Sequence, residues 1–252
     1  MTGGIACGKS LVAKFFRELG VQTLDADDVV HELEAPGGAA VSAIVSRFGQ
    51  SVLAPDGGID RSKLAEIVFS GAIAAETAAL HTEASRSCAT AARRDLETIL
   101  HPLVRQRLLD FSRSQFPVPR SPLRHSTLGD RHPARPSDSR LPSCTLPSST
   151  FHLSPFTFHL SIIPLLFESH FESDYDTIIC VSSTEDRQID RMMRTRGYTR
   201  AQAEARLAAQ MPVAEKAARA DWTIQNNSTV EELKAEVQRC VAWLIGRMEK
   251  AE

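Results

Sequence analysis

The clearest periodic pattern in the chain lies near its start, between Lys9 and Leu19. Apolar side chains recur there at helical spacing, at Leu11, Val12, Phe15, Phe16 and Leu19. Such a stripe is typical of an amphipathic helix with one buried face. Gly20 follows at the position where glycine favours the left-handed end of a helix. The pattern therefore predicts a helix over residues 9–19.

Short apolar runs alternate with further helical patterns along the rest of the chain. Residues 21–24 and 222–224 are typical of short strands, and 177–181 forms a nearly continuous apolar run, as in a buried parallel strand. Helices are predicted over residues 29–33, 39–48, 60–69, 72–100, 184–196, 199–212 and 229–248. Asp60 can cap the helix over 60–69, and Thr199-Arg200-Ala201-Gln202 fits a capping box for the helix over 199–212. Strands that alternate with helices indicate an α/β fold with a parallel sheet.

A proline marks the start of one more predicted helix. His101 precedes Pro102, and apolar residues follow at Leu103, Val104, Leu108 and Leu109. Proline suits the first position of a helix, where its missing N–H would have no partner anyway. We therefore expect a new helix to begin at His101-Pro102.

Residues 117–161 differ in composition from the rest of the chain. They hold eight of the thirteen prolines and four of the eight histidines, with no lysine and no glutamate. They also lack a periodic apolar face, so they cannot bury enough surface to offset the entropy of ordering. We expect this segment to be disordered. Residues 156–160 alternate in polarity and could replace a strand by chance.

Composition excludes several classes of protein. The 252 residues contain 29 lysines and arginines against 31 acidic residues, so neither nucleic acid nor an acidic membrane is an expected partner. The longest apolar run near the middle, Ile162–Phe167, has six residues, whereas a transmembrane helix needs roughly 20, so none is expected. A secretory signal is not expected either, because no apolar region follows Met1 directly. Five scattered cysteines without a C-x-x-C pair argue against a disulfide framework or a zinc site. A reducing, cytoplasmic location is expected; an organelle-targeting signal stays open if the N-terminus is truncated.

One motif carries recognisable chemistry. The eight residues Gly3-Gly4-Ile5-Ala6-Cys7-Gly8-Lys9-Ser10 match G-x-x-x-x-G-K-[ST] and lead directly into the first predicted helix. Backbone N–H groups of such a loop surround phosphate oxygens, and the helix N-terminus adds positive potential. Lys9 would reach the β- and γ-phosphates, and the Ser10 hydroxyl would bind Mg²⁺. The alternative is a glycine turn that matches by coincidence.

Two other clusters of polar residues have both a chemical and a structural interpretation. Asp25 and Asp27 end the second strand, where a carboxylate could orient an attacking hydroxyl or hold Mg²⁺ through water. The structural alternative is that Asp27 or Asp28 caps a helix. Six arginines lie on two consecutive predicted helices, which is typical either of a lid over phosphates or of a solvated face: Arg187, Arg191, Arg194, Arg196, Arg200 and Arg206.

Taken together and in order, the motifs of this chain resemble the dephospho-CoA kinase family. They are Gly3–Ser10, Leu24–Asp27, Pro36–Gly37, Phe48–Gly49, Asp60–Arg61, His101–Pro102, Ile163–Glu168, and Gln210–Pro212 with Lys216, Ala220–Asp221 and Asn226. The resemblance implies a P-loop kinase-like parallel sheet flanked by helices, in a single domain. Its expected parts are a core (1–35, 162–183 and 213–252), a helical acceptor-binding region (36–116), the disordered insert (117–161) and a helical lid (184–212).

The resemblance also implies an activity and a set of site residues. The family phosphorylates the ribose 3′-hydroxyl of dephospho-CoA with ATP and Mg²⁺, the last step of coenzyme A synthesis. ATP would be bound by Gly3, Gly4, Ile5, Ala6, Cys7, Gly8, Lys9, Ser10 and Asn226, the last near the adenine. Asp27, Lys9 and Arg191 would be catalytic, and Ser10 would hold the metal. The acceptor would meet Asp27, His101, Pro102, Pro164, Leu165 and Glu168. His101 also has a structural interpretation, as the residue before a helix-starting proline, and Asn226 as a turn asparagine.

The chain departs from the family pattern in two respects. The hydrophobic strand that precedes Thr2-Gly3-Gly4 in the family is expected to be absent, and the intervals 69–101 and 101–164 are longer than usual. Translated intron and a misplaced start would explain both. Two alternatives follow: another P-loop kinase of a nucleotide or small molecule, and a non-catalytic product of a faulty gene model. ATP and dephospho-CoA are the expected partners, with no obligate protein partner.

Overall fold

The structure is a computed structural model that describes residues 1–73, 83–115 and 158–249. The chain divides into two compact units. The first unit comprises Met1–Thr23, Gln115–Leu160 and Glu172–Glu252, and the second comprises Leu24–Ser114 and Ser161–Phe171.

Helices and strands alternate along the described chain, as the apolar pattern predicts. The strands are β1 (Thr2–Gly3), β2 (Gln22–Asp25), β3 (His159–Ile162), β4 (Ile179–Ser182) and β5 (Trp222–Gln225). The helices are α1 (Lys9–Glu18), α2 (Ala26–Glu34), α3 (Val41–Phe48), α4 (Arg61–Ile73), α5 (Glu83–Gln115), α6 (Glu185–Arg196), α7 (Arg200–Ala208), α8 (Val213–Arg219) and α9 (Val230–Met248). Short 3-10 turns occur at Gln50–Val52 and Glu172–Asp174.

A parallel sheet with the order β1–β4–β5 forms the centre of the first unit. Thr2 pairs with Cys180 and Gly3 with Val181, while Ile179–Ser182 pairs residue by residue with Trp222–Gln225. Strand β1 consists of Thr2 and Gly3, which belong to the motif itself, so its pairing does not contradict the expected absence of the apolar strand before them. Parallel pairing uses backbone groups, so two residues suffice to occupy this position in the sheet.

Helices α1 and α9 pack against each other in the first unit. The apolar stripe predicted for α1 is buried at Val12, Phe15 and Phe16, and α9 buries Leu233 and Val237. Leu19 ends α1, and Gly20 follows with φ +88°, so the predicted left-handed glycine at the helix end is confirmed.

The two helices predicted as a lid, α6 and α7, are joined by a small apolar core. It contains Ile189, Met192 and Ala203. The predicted phosphate-binding loop, Gly3–Ser10, packs against this core through Ile5 and Ala6. The predicted capping box at the start of α7 is present: Thr199 accepts a hydrogen bond from the Gln202 backbone, and Gln202 accepts one from the Thr199 backbone. The loop and these helices thus share one packed surface.

Helix α5 of the second unit corrects the prediction that a helix begins at His101-Pro102. The helix runs without interruption from Glu83 to Gln115, with Pro102 inside it. Proline removes one backbone hydrogen bond and strains a helix by about 3 kcal/mol. Leu100, Val104 and Leu108 are buried one turn apart on either side of Pro102, and burying each contributes a stabilisation of about 1.5–3 kcal/mol. The continuous apolar face therefore outweighs the local proline signal.

Strand β3 corrects part of the disorder predicted for residues 117–161. Residues 159–161 lie in β3, which pairs with β2 in a two-stranded sheet. Leu160 and Ser161 are buried, and this burial explains why the alternating polarity there yields a strand. Residues 116–157 lie outside the described chain, as do residues 74–82 of the helix predicted over 72–100. Within the described ranges, no helix is long and apolar enough to cross a membrane.

Candidate active site

The phosphate-binding loop connects the end of β1 to the start of α1, the context that the motif requires. The ammonium group of Lys9 lies against the loop backbone, with its Nζ 3.1 Å from the carbonyl oxygen of Gly3 and 2.8 Å from that of Gly4. Ser10 is exposed at the second position of α1. The first N–H groups of a helix have no partner within the helix, so this end of α1 can donate to an anion.

Two left-handed residues give the loop its shape. Ala6 has φ +56° and Gly8 has φ +88°. A left-handed alanine costs about 1–3 kcal/mol and persists only where its surroundings fix it. At Gly8 a side chain is excluded for a second reason, because a Cβ atom there would collide with the amide of Asn226.

Arg191 and Asn226 hold two carbonyl groups of the loop. The Nη1 of Arg191 donates to the Ala6 carbonyl at 3.1 Å, and the Nδ2 of Asn226 donates to the Cys7 carbonyl at 2.8 Å. Arg191 also donates from Nη2 to the backbone oxygen of Asn226 at 2.9 Å. The structure therefore joins Arg191, Asn226 and the loop, three parts of the predicted ATP site, in one hydrogen-bonded group.

Ser183 and Gln188 belong to the same network, although sequence reasoning gave neither a place in the site. Ser183 follows β4, and its Oγ lies 3.1 Å from the carbonyl oxygen of Asn226, which follows β5. The buried Gln188 donates to the Ser183 carbonyl at 2.9 Å and lies beside Gly4. Their only signal in the sequence is that polar residues follow a buried strand, where sites in parallel sheets form.

The cysteine of the loop is a buried thiol. Cys7 is fully buried, and burial raises the pKa of its thiol, although the charges of Lys9 and Arg191 act in the opposite direction. Burial also raises the pKa of Cys180 to about 12. Burial of this kind disfavours the thiolate, which is the nucleophilic form of cysteine, and favours a packing role for Cys7 in the loop.

The two predicted aspartates differ in their surroundings. Asp25 is the N-cap of α2, and its Oδ1 accepts a hydrogen bond from the Asp27 backbone at 3.0 Å. Asp27 itself is exposed in the first turn of α2. The structural alternative in which Asp27 or Asp28 caps this helix is therefore wrong, because the side chain of Asp25 already occupies that position.

Apart from Asp27, the predicted acceptor-side residues lie on α5 and on the turn that follows β3, all within the second unit. The imidazole ring of His101 packs edge-on against the ring of Phe171, with 5.7 Å between centroids. Arg105, one turn further along α5, lies over the same ring at 5.8 Å. Pro102 is exposed, and the turn residues Pro164, Leu165 and Glu168 are half-buried.

In the part of the chain that the structure describes, one of the six clustered arginines, Arg191, contacts the loop. Arg194 pairs with Asp190, Arg200 pairs with Glu204, and Arg206 lies over the ring of Tyr198 at 4.2 Å. Ion pairs between exposed side chains add little stability and are typical of a solvated face. That interpretation fits Arg194 and Arg200, whereas Arg191 lies at the loop.

Comparison with known proteins identifies the family. The family model for dephospho-CoA kinase matches residues 1–115 and 148–232. The chain belongs to the dephospho-CoA kinase family. A dephospho-CoA kinase from Geobacillus kaustophilus is 33% identical over 94% of this chain and 91% of its own length. One from Anaeromyxobacter dehalogenans is 34% identical over 98% of this chain and 91% of its own length.

Solved structures agree on the fold. The dephospho-CoA kinase from Campylobacter jejuni matches with a TM-score of 0.52 at 20% identity, over 96% of this chain and 93% of that one. At this identity the likeness shows the fold alone. The resemblance, the α/β P-loop fold class and the kinase class that the motifs imply are confirmed by these comparisons. The alternative of a kinase from another P-loop family is set aside.

Proposed function

We propose that this protein transfers the γ-phosphoryl group of ATP to the ribose 3′-hydroxyl of dephospho-CoA, giving coenzyme A in the last step of its synthesis. One observation carries the proposal: in a chain of this family, the loop Gly3–Ser10 has its left-handed turns in place, with Lys9 lying on its backbone. A loop of this shape binds a polyphosphate through its N–H groups.

On the ATP side, the proposed ligands are the loop residues together with Asn226, which would lie near the adenine. The loop ligands are Gly3, Gly4, Ile5, Ala6, Cys7, Gly8, Lys9 and Ser10. Lys9 is catalytic in this proposal, because its ammonium would leave the carbonyls of Gly3 and Gly4 and follow the charge on the transferring group. Arg191 would add a second positive charge at the phosphates.

Ser10 is the proposed protein ligand of Mg²⁺. Its hydroxyl is exposed in the first turn of α1, at the end where phosphate oxygens would lie. Mg²⁺ commonly takes one or two protein oxygens, together with phosphate oxygens and water, so a single hydroxyl fits this ion. When bound, the ion would neutralise charge on the β- and γ-phosphates.

On the acceptor side, Asp27 is the proposed general base. As the 3′-oxygen forms its bond to the γ-phosphorus and the bond to ADP breaks, the proton of the hydroxyl passes to the Asp27 carboxylate. The exposure of this carboxylate and its freedom from the capping role support the assignment. His101, Pro102, Pro164, Leu165 and Glu168 would contact the rest of the acceptor.

The proposal also assigns regions and a cellular setting. The core would comprise 1–35, 162–183 and 213–252, the acceptor-binding region 36–116, and the lid 184–212. The reaction would take place in the cytoplasm, in keeping with the free thiols of Cys7, Cys180 and Cys240. Neither nucleic acid nor an obligate protein partner enters this proposal.

A panel of acceptors tests the proposal. The purified full-length chain is given ATP, Mg²⁺ and one of dephospho-CoA, AMP or shikimate, and ADP formation is followed. We expect turnover with dephospho-CoA well above that with the other two acceptors. Equal turnover with all three, or turnover with AMP alone, would contradict the assigned acceptor. ADP formation without any acceptor is the background to subtract.

A further inference from the structure

The outer face of the phosphate-binding loop is held by side chains that come from distant parts of the chain. The carbonyl oxygens of two successive residues, Ala6 and Cys7, accept hydrogen bonds from Arg191 and Asn226. Arg191 and Asn226 are themselves joined, because Arg191 donates to the Asn226 backbone oxygen.

We infer that Arg191 and Asn226 are positioning residues that fix the phosphate-binding loop by its carbonyl oxygens. The inference deepens the proposed function, since it rests on the loop being the ATP site. It adds a second role to the positions proposed above, in which Arg191 lies at the phosphates and Asn226 near the adenine. Here each residue acts on the nucleotide through the loop.

Peptide geometry explains how a carbonyl contact can aim a donor. A trans peptide group is planar, and its C=O and N–H point in opposite directions. When Asn226 holds the Cys7 carbonyl, the N–H of Gly8 must therefore point to the opposite face of the loop. That N–H is among the first groups of α1, which lack partners within the helix and are available to an anion.

The same contacts offset the strain of the loop. Ala6 is left-handed, a conformation that a residue with a side chain adopts only when several contacts fix it. Its carbonyl is held by Arg191, and its side chain packs against the core of α6 and α7. Asn226 is buried beside Gly8, so its amide has little freedom to turn towards another partner.

Binding measurements with three probes test this inference. Wild type, Asn226→Ala and Arg191→Lys are titrated with ATP, inorganic tripolyphosphate and adenosine. Asn226→Ala leaves the Cys7 carbonyl without this donor and lets the Gly8 N–H move. The affinities for ATP and for tripolyphosphate should therefore both fall by roughly 10- to 100-fold, while the affinity for adenosine stays the same. Lysine keeps the positive charge of Arg191 but not the paired donors, so a loss in Arg191→Lys reports geometry rather than charge.

Two matched controls accompany these variants. Gln225→Ala repeats the change of Asn226→Ala at the neighbouring, exposed end of β5, and Arg194→Lys repeats the arginine change on an exposed position of α6. Both controls should bind tripolyphosphate as wild type does. Hydrogen exchange gives a readout independent of binding: residues 4–8 should exchange faster in Asn226→Ala and Arg191→Lys, while β4 and β5 keep their protection.

The outcomes separate the inference from the function on which it rests. Loss of adenosine binding with unchanged tripolyphosphate binding in Asn226→Ala would overturn the inference and place Asn226 at the base. Unchanged tripolyphosphate binding with a lower kcat in Arg191→Lys would overturn it for Arg191. A wild-type chain that binds neither ATP nor tripolyphosphate would overturn the proposed function, and this inference with it.

Discussion

The carboxylate of Asp25 caps helix α2 by accepting a hydrogen bond from the backbone N–H of Asp27, with 3.0 Å between Oδ1 and N. Two aspartates that carry the same charge two residues apart therefore have different surroundings. Asp25 satisfies a helix end, and Asp27 presents its carboxylate to the exterior of the first turn. This difference allows capping and chemistry to be tested separately.

Substitution of Asp27 by asparagine should remove the general base and leave the fold intact. Without a carboxylate to accept the proton of the 3′-hydroxyl, kcat should fall by roughly 10²–10⁴-fold, while the affinity for ATP changes little. Steady-state kinetics with dephospho-CoA as acceptor measure the effect. The matched control is Asp28→Asn, which removes the same charge from the same exposed turn and should retain wild-type turnover. Equal kcat values for the two variants would remove Asp27 from the mechanism.

Substitution of Asp25 should affect stability through the helix cap. Asp25→Ala removes the acceptor for the Asp27 N–H and should lower the free energy of unfolding by about 0.5–2 kcal/mol. Asp25→Asn keeps a capping oxygen and should lie close to wild type. Denaturant unfolding of the three proteins measures the difference. If Asp25→Ala and Asp25→Asn are equally unstable, the charge rather than the cap is what matters there.

Lys9 should be needed for phosphoryl transfer and contribute little to folding. Its ammonium group contacts the loop carbonyls of Gly3 and Gly4, so Lys9→Ala should reduce kcat by roughly 10²–10³-fold, as for other donors to developing charge. The unfolding free energy should change by about 1 kcal/mol, the net contribution of ordinary hydrogen bonds. Lys14→Ala, at an exposed position of the same helix, is the control. Wild-type turnover in Lys9→Ala would contradict the assigned role.

The buried Glu34 should make stability depend on pH. Burial raises the pKa of its carboxyl group, although the charges of Arg61 and His31 act against this. The unfolded chain then releases the proton at lower pH than the folded one, so the contribution of Glu34 to stability is present below its usual pKa and is lost as pH rises through the folded value.

Glu34→Gln tests this pH dependence, because glutamine does not titrate. The stability of the glutamine variant relative to wild type should increase as pH is raised from about 4 to about 7. Denaturant unfolding at several pH values measures both curves. A stability difference that is constant with pH would show that the ion pair of Glu34 with Arg61 balances its burial. A glutamine variant that gains stability relative to wild type as pH falls would show that the ion pair outweighs burial.

Features that depend on neighbouring residues could be predicted from the sequence. The amphipathic stripe of α1, the left-handed Gly20 and the capping box at Thr199 each involve residues within one or two turns of each other. Asp60 likewise caps α4 as expected, accepting from the backbones of Ser62 and Lys63. Local chemistry determines such elements, so pattern reasoning reaches them.

Features that depend on distant residues could not be predicted in this way. The contact of Arg191 with Ala6 joins positions 185 residues apart, and that of Asn226 with Cys7 joins positions 219 apart. At Pro102 a local rule gives the wrong helix boundary, because tertiary burial of Leu100, Val104 and Leu108 keeps α5 continuous. The motif locates the phosphate-binding loop, and only the fold shows what holds it.

The position of the transferred phosphate tests the central claim most directly. The full-length chain is incubated with dephospho-CoA, Mg²⁺ and ATP labelled with ³²P in the γ-phosphate, and the products are separated. The account predicts labelled coenzyme A from which a 3′-nucleotidase releases all the label as phosphate. Label that resists the 3′-nucleotidase, or label that never leaves ATP while the chain is folded, would contradict it.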